Sequence, residues 1–345
     1  MSHTPVDKNM IFANTLSIEG LVYRDFLSEP FRVYGYFREN GENIRLPQAV
    51  ARATSVQVFD MYKTSSGGRV RFVSDSPYVA VRIVLSRGER IPVMTHIGTI
   101  GMDLYADGEY AGSFVPPMAG DSYESVVRFP DAKKRSLMIH LPLYANIESL
   151  EIGLAGEAML LPAEDYTIEK PIVFYGSSIT NGACSSRPGM TYAAQVGRML
   201  NANHYNLGFG GCARGEKAMA SYIASLDMSA FVLDYDHNAY NPDYLLETHE
   251  PFFKTVREKH PDLPILMITA PIVRRNESWQ KRYEIIKRTY ENAIAAGDKN
   301  VYFLDGASPF SEVGPEYFVD GIHPSDLDYY LMAKSVSKIL HSVLK

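Results

Sequence analysis

A serine hydroxyl is a weak nucleophile until a base accepts its proton, and the base must itself be oriented by a third group. Short segments of this chain hold those residue types. Y-G-S-S-I-T-N-G, at 175–182, offers Ser177 and Ser178 at the end of an apolar run. D-G-I-H-P-S, at 320–325, spaces Asp320 and His323 three apart in a turn-like stretch, so the carboxylate can hold one imidazole nitrogen and leave the other free. G-F-G-G-C, at 208–212, offers backbone N–H groups unobstructed by side chains, and D-H-N, at 236–238, offers the side-chain amide of Asn238. A tetrahedral oxyanion needs such preorganised donors. Together the pieces fit acyl transfer at a serine, a chemistry that calls for no metal or organic cofactor.

Each segment alone has an ordinary reading. Gly-Ser-Ser-Ile-Thr is commonly a helix entry with capping hydroxyls, and Gly210-Gly211 a tight turn. Asp234 and Asp236 alternate beside His237, as ligands of a metal would, but no second histidine of suitable spacing accompanies them. What joins the segments is the set of elements they terminate. From about residue 166 onward, apolar strands alternate with helix-like segments near 189–201, 215–226, 243–260, 277–297 and 325–343. In the first of these, Ala193, Val196, Gly197 and Leu200 line one face at helical spacing. The strands are P-I-V-F-Y-G, Y-N-L-G-F, A-F-V-L-D-Y, P-I-L-M-I-T-A and N-V-Y-F-L-D-G. Such alternation implies a parallel sheet covered on both faces, with function outside the carboxyl ends of its strands. The candidate segments follow those ends.

The first half has a different rhythm. V-F-D-M-Y-K, R-V-R-F-V, Y-V-A-V-R-I-V-L, S-V-V-R-F, S-L-M-I-H-L and S-L-E-I-G-L read as short strands of a β-sandwich or jelly roll. Ser65-Ser66-Gly67-Gly68 would be a hairpin turn between the first two, and Asp107-Gly108 the tight turn of another hairpin. A connection over 160–171, bounded by prolines, gives two expected domains, 1–165 and 166–345.

With these motifs in order, the second half resembles the SGNH, or GDSL-type, hydrolase superfamily. The resemblance implies an α/β three-layer, flavodoxin-like domain in which Ser178 is the nucleophile and Asp320 and His323 complete the triad. It also implies an oxyanion hole of the Ser178 N–H, Gly211 and Asn238. G-M-D-L-Y, at 101–105, matches the G-x-D-L-Y signature of a β-rich domain that precedes one subgroup of these hydrolases. N-I-R-L-P, at 43–47, and G-A-C-S-S-R-P-G, at 182–189, resemble that subgroup too. Three positions depart from the family pattern: Ser177 stands where most members carry Asp, Asp236 replaces a glycine, and Ala239 replaces an Asp. The α/β-hydrolase elbow G-x-S-x-G fits less well, because Thr180 takes its last position.

In related hydrolases a β-rich companion domain often goes with acetylated carbohydrates, so the expected reaction is removal of short acyl groups from sugars. Transfer of the acyl group to another hydroxyl, or a vestigial site on a carbohydrate-binding protein, are the alternatives. Arg187, after the nucleophile block, would either contact a polar substrate or form a salt bridge. Cys184 and Cys212 follow two blocks whose loops should be neighbours; two small reduced side chains is the simpler expectation, and contact or a disulfide the rarer one.

Bulk properties limit the other classes. The 345 residues carry a net charge of −6 with no basic block, against a nucleic-acid or anionic-membrane partner. No run approaches the roughly 18 apolar residues of a membrane span, and the first residues lack a secretory pattern, so a cytoplasmic enzyme is expected.

Overall fold

Successive side chains of a strand point to opposite faces, and in the first half of the chain that alternation builds a sandwich. The structure, a computed structural model, describes residues 12–344. One antiparallel sheet runs Leu21–Asp25, Ala145–Ala155, Tyr78–Gly88, Ser122–Arg128. The other runs Leu160–Pro162, Arg69–Ser74, Arg135–His140, Met102–Ala106, Glu109–Phe114, with Arg32–Tyr34 also pairing to Arg69–Ser74. Val70, Phe72, Leu104, Leu137 and Ile139 of the second sheet meet Val79, Val81, Ile83, Leu150 and Ile152 of the first in one core. Each such buried side chain contributes about 1.5–3 kcal/mol relative to exposure. Asp107 and Gly108 have φ of 53° and 88°, the two positive values a primed hairpin turn requires.

One expected strand is not a strand. V-F-D-M-Y-K lies in the helix Val56–Met61 and the turn after it, preceded by the helix Gln48–Thr54. Ser55 caps the second helix by accepting a hydrogen bond from the Val58 N–H at 3.1 Å. The apolar residues also read at i, i+4: Val58 and Tyr62 share a buried face, and that period prevails because the face has a partner. The partner is the core of the second half, which Ile44, Leu46, Val58 and Tyr62 join. Ser65–Gly68 is therefore no hairpin; it feeds a helix into strand Arg69–Ser74. Gly67 has φ +79°, and a Cβ there would fall 2.4 Å from the Cβ of Asn206, so this turn presses directly on the second half.

That half is a five-stranded parallel sheet in the order Ala202–Gly208, Ile168–Gly176, Ala230–Asp234, Ile265–Ile268, Val301–Leu304. This is the 2-1-3-4-5 order of doubly wound, flavodoxin-like folds. Ile172, Val173, Phe174 and Tyr175 are all fully buried, as a strand covered on both faces demands. Helices Tyr192–Met199 and Asp326–Val343 supply one covering layer. Helices Lys217–Ala224, Pro242–Lys259 and Glu277–Ala295 supply the other. The connection expected over 160–171 is shorter, because Leu160–Pro162 still pairs in the sandwich and the first parallel strand begins at Ile168. Among the described residues no helix is long and apolar enough to cross a membrane.

Candidate active site

The order of the parallel sheet reverses beside strand Ile168–Gly176, and the chain leaves that strand into the helical turn Ser178–Asn181. The two serines part company there. Ser177 is buried and caps the turn, its hydroxyl accepting from the Ile179 N–H at 3.2 Å. Ser178 is half-buried and opens onto a cavity of about 340 Å³. The turn is fixed from three sides: Ser66 Oγ donates to the Asn181 carbonyl at 2.6 Å, Asn206 Nδ2 to the Thr180 carbonyl at 2.7 Å, and Thr180 Oγ1 to Asp234 at 3.0 Å.

His323 arrives from the turn before helix Asp326–Val343. The backbone N–H groups of Ile322 and His323 both donate to Asp320 Oδ1, at 3.0 and 2.8 Å. The other carboxylate oxygen then faces the ring, accepting from His323 Nδ1 at 2.7 Å. Ser178 Oγ lies 2.8 Å from His323 Nε2. Partial burial raises the pKa of Asp320, but the hydrogen bonds from His323 and the Ile322 N–H outweigh it and hold the carboxyl below its usual value. An ionised Asp320 puts the imidazole proton on Nδ1 and leaves Nε2 as the acceptor for the serine proton.

Gly211 and Asn238 line the same cavity. Gly211 has φ +70°, with open space where a Cβ would stand. Asn238 Nδ2 donates to the Phe209 carbonyl at 2.9 Å, which orients the amide with one N–H uncommitted among the described residues. Four of the five residues named from the sequence as catalytic or oxyanion-binding, Ser178, Gly211, Asn238 and His323, thus line one cavity, and Asp320 stands behind His323. Arg187 does not line it. Its guanidinium lies 3.2 Å from Asp103 and 4.1 Å from the centre of the Tyr110 ring, the salt-bridge alternative. Asp103 is the aspartate of G-M-D-L-Y, fully buried, and both its oxygens accept from the Gly189 N–H at 3.1 Å. The signature thus pins the loop after Ser178 to the sandwich.

Asp234, Asp236 and His237 serve separate partners. Asp234 accepts from Thr180 and Tyr192, and Asp236 accepts from the Ala270 N–H at 2.9 Å. His237 packs on Trp279 with ring centres 4.8 Å apart. Burial pushes Asp236 up to about 6, against the pull of the Ala270 N–H and Arg282. Arg282 also donates to the carbonyls of Asp236 and Ala239, securing the turn that carries Asn238. Cys184 and Cys212 are free and buried. Cys212 Sγ contacts Met61 at 3.7 Å, whereas Cys184 lines the Ser178 cavity. Burial first, and then the Asp320 charge, push the Cys184 thiol up to about 11.

Residues outside the catalytic segments also contribute. Ile91, Val93, Met94 and Tyr144, from the sandwich half, form the apolar wall of the cavity. Arg45, of N-I-R-L-P, is fully buried, donates to the Gly208 carbonyl at 2.7 Å and covers the Phe209 ring at 4.3 Å. Burial lowers its pKa to about 10, still far above neutrality, so a cation braces the turn that presents Gly211.

A parallel α/β sheet with a serine–histidine–aspartate relay at its switch point defines a class of acyl-transfer enzymes. The family of GDSL-like lipases and acylhydrolases matches residues 169–341, and the GxDLY N-terminal domain of SGNH-hydrolase-type esterases matches residues 21–160. The chain belongs to the GDSL-like lipase/acylhydrolase family and is an ester hydrolase. Among solved structures it is similar to a protein described as a GDSL-like lipase from Bacteroides ovatus, with 30% identity over 94% of this chain and 98% of that one, at a TM-score of 0.84. A salicylyl-acyltransferase from a tetracycline biosynthetic pathway has 21% identity over 95% of this chain and 99% of its own, at a TM-score of 0.78. A family two carbohydrate esterase from Clostridium thermocellum, in complex with cellohexaose, has 16% identity over 94% and 98%, at a TM-score of 0.64. At those identities the last two likenesses are of fold. No protein of curated function matches the sequence.

Proposed function

We propose that the protein is a serine esterase that removes short acyl groups, acetyl foremost, from carbohydrate esters. The observation that carries the chemistry is the continuous relay from Ser178 through His323 to Asp320, at 2.8 and 2.7 Å. Ser178 Oγ attacks the ester carbonyl as His323 Nε2 takes its proton, and Asp320 stabilises the imidazolium that forms. The Ser178 and Gly211 N–H groups and the Asn238 amide receive the developing oxyanion. His323 returns the proton to the leaving alcohol, and water then opens the acyl-enzyme by the same route.

The size of the cavity and its apolar wall of Ile91, Val93 and Met94 support a short acyl chain. Support for a carbohydrate alcohol comes from the shared two-part architecture with the Clostridium thermocellum carbohydrate esterase. The fold is shared with the salicylyl-acyltransferase at the higher TM-score, 0.78 against 0.64, so transfer to an acceptor hydroxyl is the second reading.

The test is hydrolysis of 4-nitrophenyl acetate, butyrate and hexanoate, then of acetylated xylose and glucose oligomers, by the wild-type protein and Ser178→Ala. The acetate should be preferred, acetate should be released from the oligomers, and a fluorophosphonate probe should label Ser178. Full activity in Ser178→Ala refutes the chemistry. A dominant acyl-sugar product when free sugars are present moves the assignment to transferase.

A further inference from the structure

The sandwich sheet that faces the catalytic half carries charge its own core does not need. Along strand Arg69–Ser74, Val70 and Phe72 point into the sandwich, so Arg69 and Arg71 project from the opposite face. The register extends this face across the sheet: Arg71 lies opposite Met138, which lies opposite Tyr105, and Arg69 opposite His140, which lies opposite Asp103. Helix Tyr192–Met199 of the catalytic half packs over this face and leaves a cavity of about 340 Å³. That volume is at the lower end of the range for small-molecule sites. It shares no lining residue with the cavity at Ser178.

The cavity wall is cationic and incompletely paired. Arg69 donates to the Tyr166 hydroxyl, the Gly67 and His204 carbonyls and the Asn203 side-chain oxygen, all of them neutral. Arg71 is only 8% exposed, lies on the Tyr166 ring at 3.9 Å, and its buried Nη1 has no hydrogen-bond partner among the described residues. Arg198 donates to His140 Nε2 at 3.2 Å; an arginine has no acceptor, so Nε2 carries a lone pair and His140 is neutral. Burial and the nearby guanidiniums push His140 and His204 well below the usual imidazole range. Both ring nitrogens of His204 are buried without a partner among the described residues.

The acids nearby are engaged elsewhere or at the rim. Asp103 is held by Arg187 and Gly189, Asp165 pairs with Arg32, and Asp107 accepts from the Ser136 N–H at 2.8 Å. Glu164 is exposed at the mouth. Arg69 and Arg71 therefore face the cavity with no carboxylate partner among the described residues. A buried guanidinium N–H and imidazole left unsatisfied are costly; an oxyanion accepts from the guanidinium and from the imidazole N–H, and a ligand hydroxyl can donate to the other ring nitrogen.

We infer that this interdomain cavity is a second ligand site, for a small polyhydroxylated oxyanion such as a sugar acid or a sugar phosphate. The carboxylate or phosphoryl oxygens go to Arg71 and His204, and the rim carboxylates Asp107 and Glu164 take hydroxyls. Such a ligand bridges the two halves, because Arg71 belongs to the sandwich and His204 to the parallel sheet.

Isothermal titration of the full chain with glucuronate, glucose 6-phosphate and glucose tests this without any ester hydrolysis, so its outcome is independent of the proposed reaction. At least one of the two anions should bind one-to-one, about tenfold or more tighter than glucose, and the stronger of them identifies the head group. Arg71→Met should weaken that binding by a similar factor. Ser136→Trp, at an exposed position on the mouth, should block it and decides the matter if Arg71→Met does not fold. Saturable binding by neither anion, equal binding of glucose, or unaltered affinity in a folded variant would overturn the inference.

Discussion

Replacing Asp320 with asparagine should be worse for catalysis than its small size suggests, and the hydrogen bonds say why. Oδ1 of Asp320 accepts two backbone N–H groups, from Ile322 and His323, and Oδ2 accepts from His323 Nδ1. An asparagine has one acceptor oxygen, and the two backbone donors claim it. The amide NH₂ must then face Nδ1, which has to become an acceptor, so the imidazole proton moves to Nε2. That atom is the one 2.8 Å from Ser178 Oγ, and a protonated Nε2 cannot take the serine proton. The wrong tautomer costs on the order of 10⁴ in kcat in serine triads, which is about 5 kcal/mol of barrier. Asp320→Ala leaves Nδ1 to water and the tautomer free to choose, so it should lose no more than Asp320→Asn. The assay is kcat and KM for 4-nitrophenyl acetate with melting temperatures for both variants; KM and melting should change little beside kcat. Activity in Asp320→Asn within tenfold of wild type, or a far larger loss in Asp320→Ala, refutes the reasoning.

Asn238→Ala should lower kcat by about 10²–10³, the usual loss of one oxyanion donor, with KM little changed in the same assay. Ser177→Ala removes a helix cap and should cost about 1 kcal/mol in urea unfolding, with activity largely kept, unlike Ser178→Ala. Asp103→Ala leaves Arg187 and the Gly189 N–H without their buried partner and should destabilise the fold by about 3–5 kcal/mol in the same measurement. Burial first, and then repulsion from Asp236, push Asp234 up to about 8, so the folded state holds a proton that the unfolded state has released between about pH 4 and 8. Stability attached to this group therefore falls as pH rises through that window, and Asp234→Asn should flatten the fall when melting is followed from pH 5 to 8.

The second half of the fold is legible in the sequence because strands buried on both faces read as continuous apolar runs. Ile172–Tyr175 and Ala230–Leu233 can be little else. The site follows from the fold, since Ser178, Gly211 and Asn238 each lie just past the end of a strand. In the first half, Val58 and Tyr62 carry a helical period inside a segment that also alternates, and only a partner surface 150 residues away decides between the two. Arg45, Arg282 and the apolar wall at Ile91–Met94 were not legible for a related reason. Each acts through a backbone carbonyl or a cavity face that the local sequence does not contain. Arg187 was ambiguous because a lone arginine beside a catalytic block has the same signature whether it meets a substrate or Asp103.

The sandwich therefore does more than accompany the catalytic sheet. Ser66 holds the carbonyl of Asn181, Arg45 holds that of Gly208, and Asp103 holds the loop at Gly189, so three points around Ser178 are fixed by side chains from the first half. The two carbonyl bonds are made by buried donors whose alternative is an unsatisfied group, which makes them costly to break. The Val56–Met61 helix and the turn after it go further and join, through Val58 and Tyr62, the core that holds Tyr205 and Leu207 of strand Ala202–Gly208. A catalytic half expressed from residue 166 would expose that apolar surface and lose all three anchors at once. The two sequence rhythms consequently mark two architectures but one site, whose proposed oxyanion donors are carried by one half on turns that side chains of the other half hold in place.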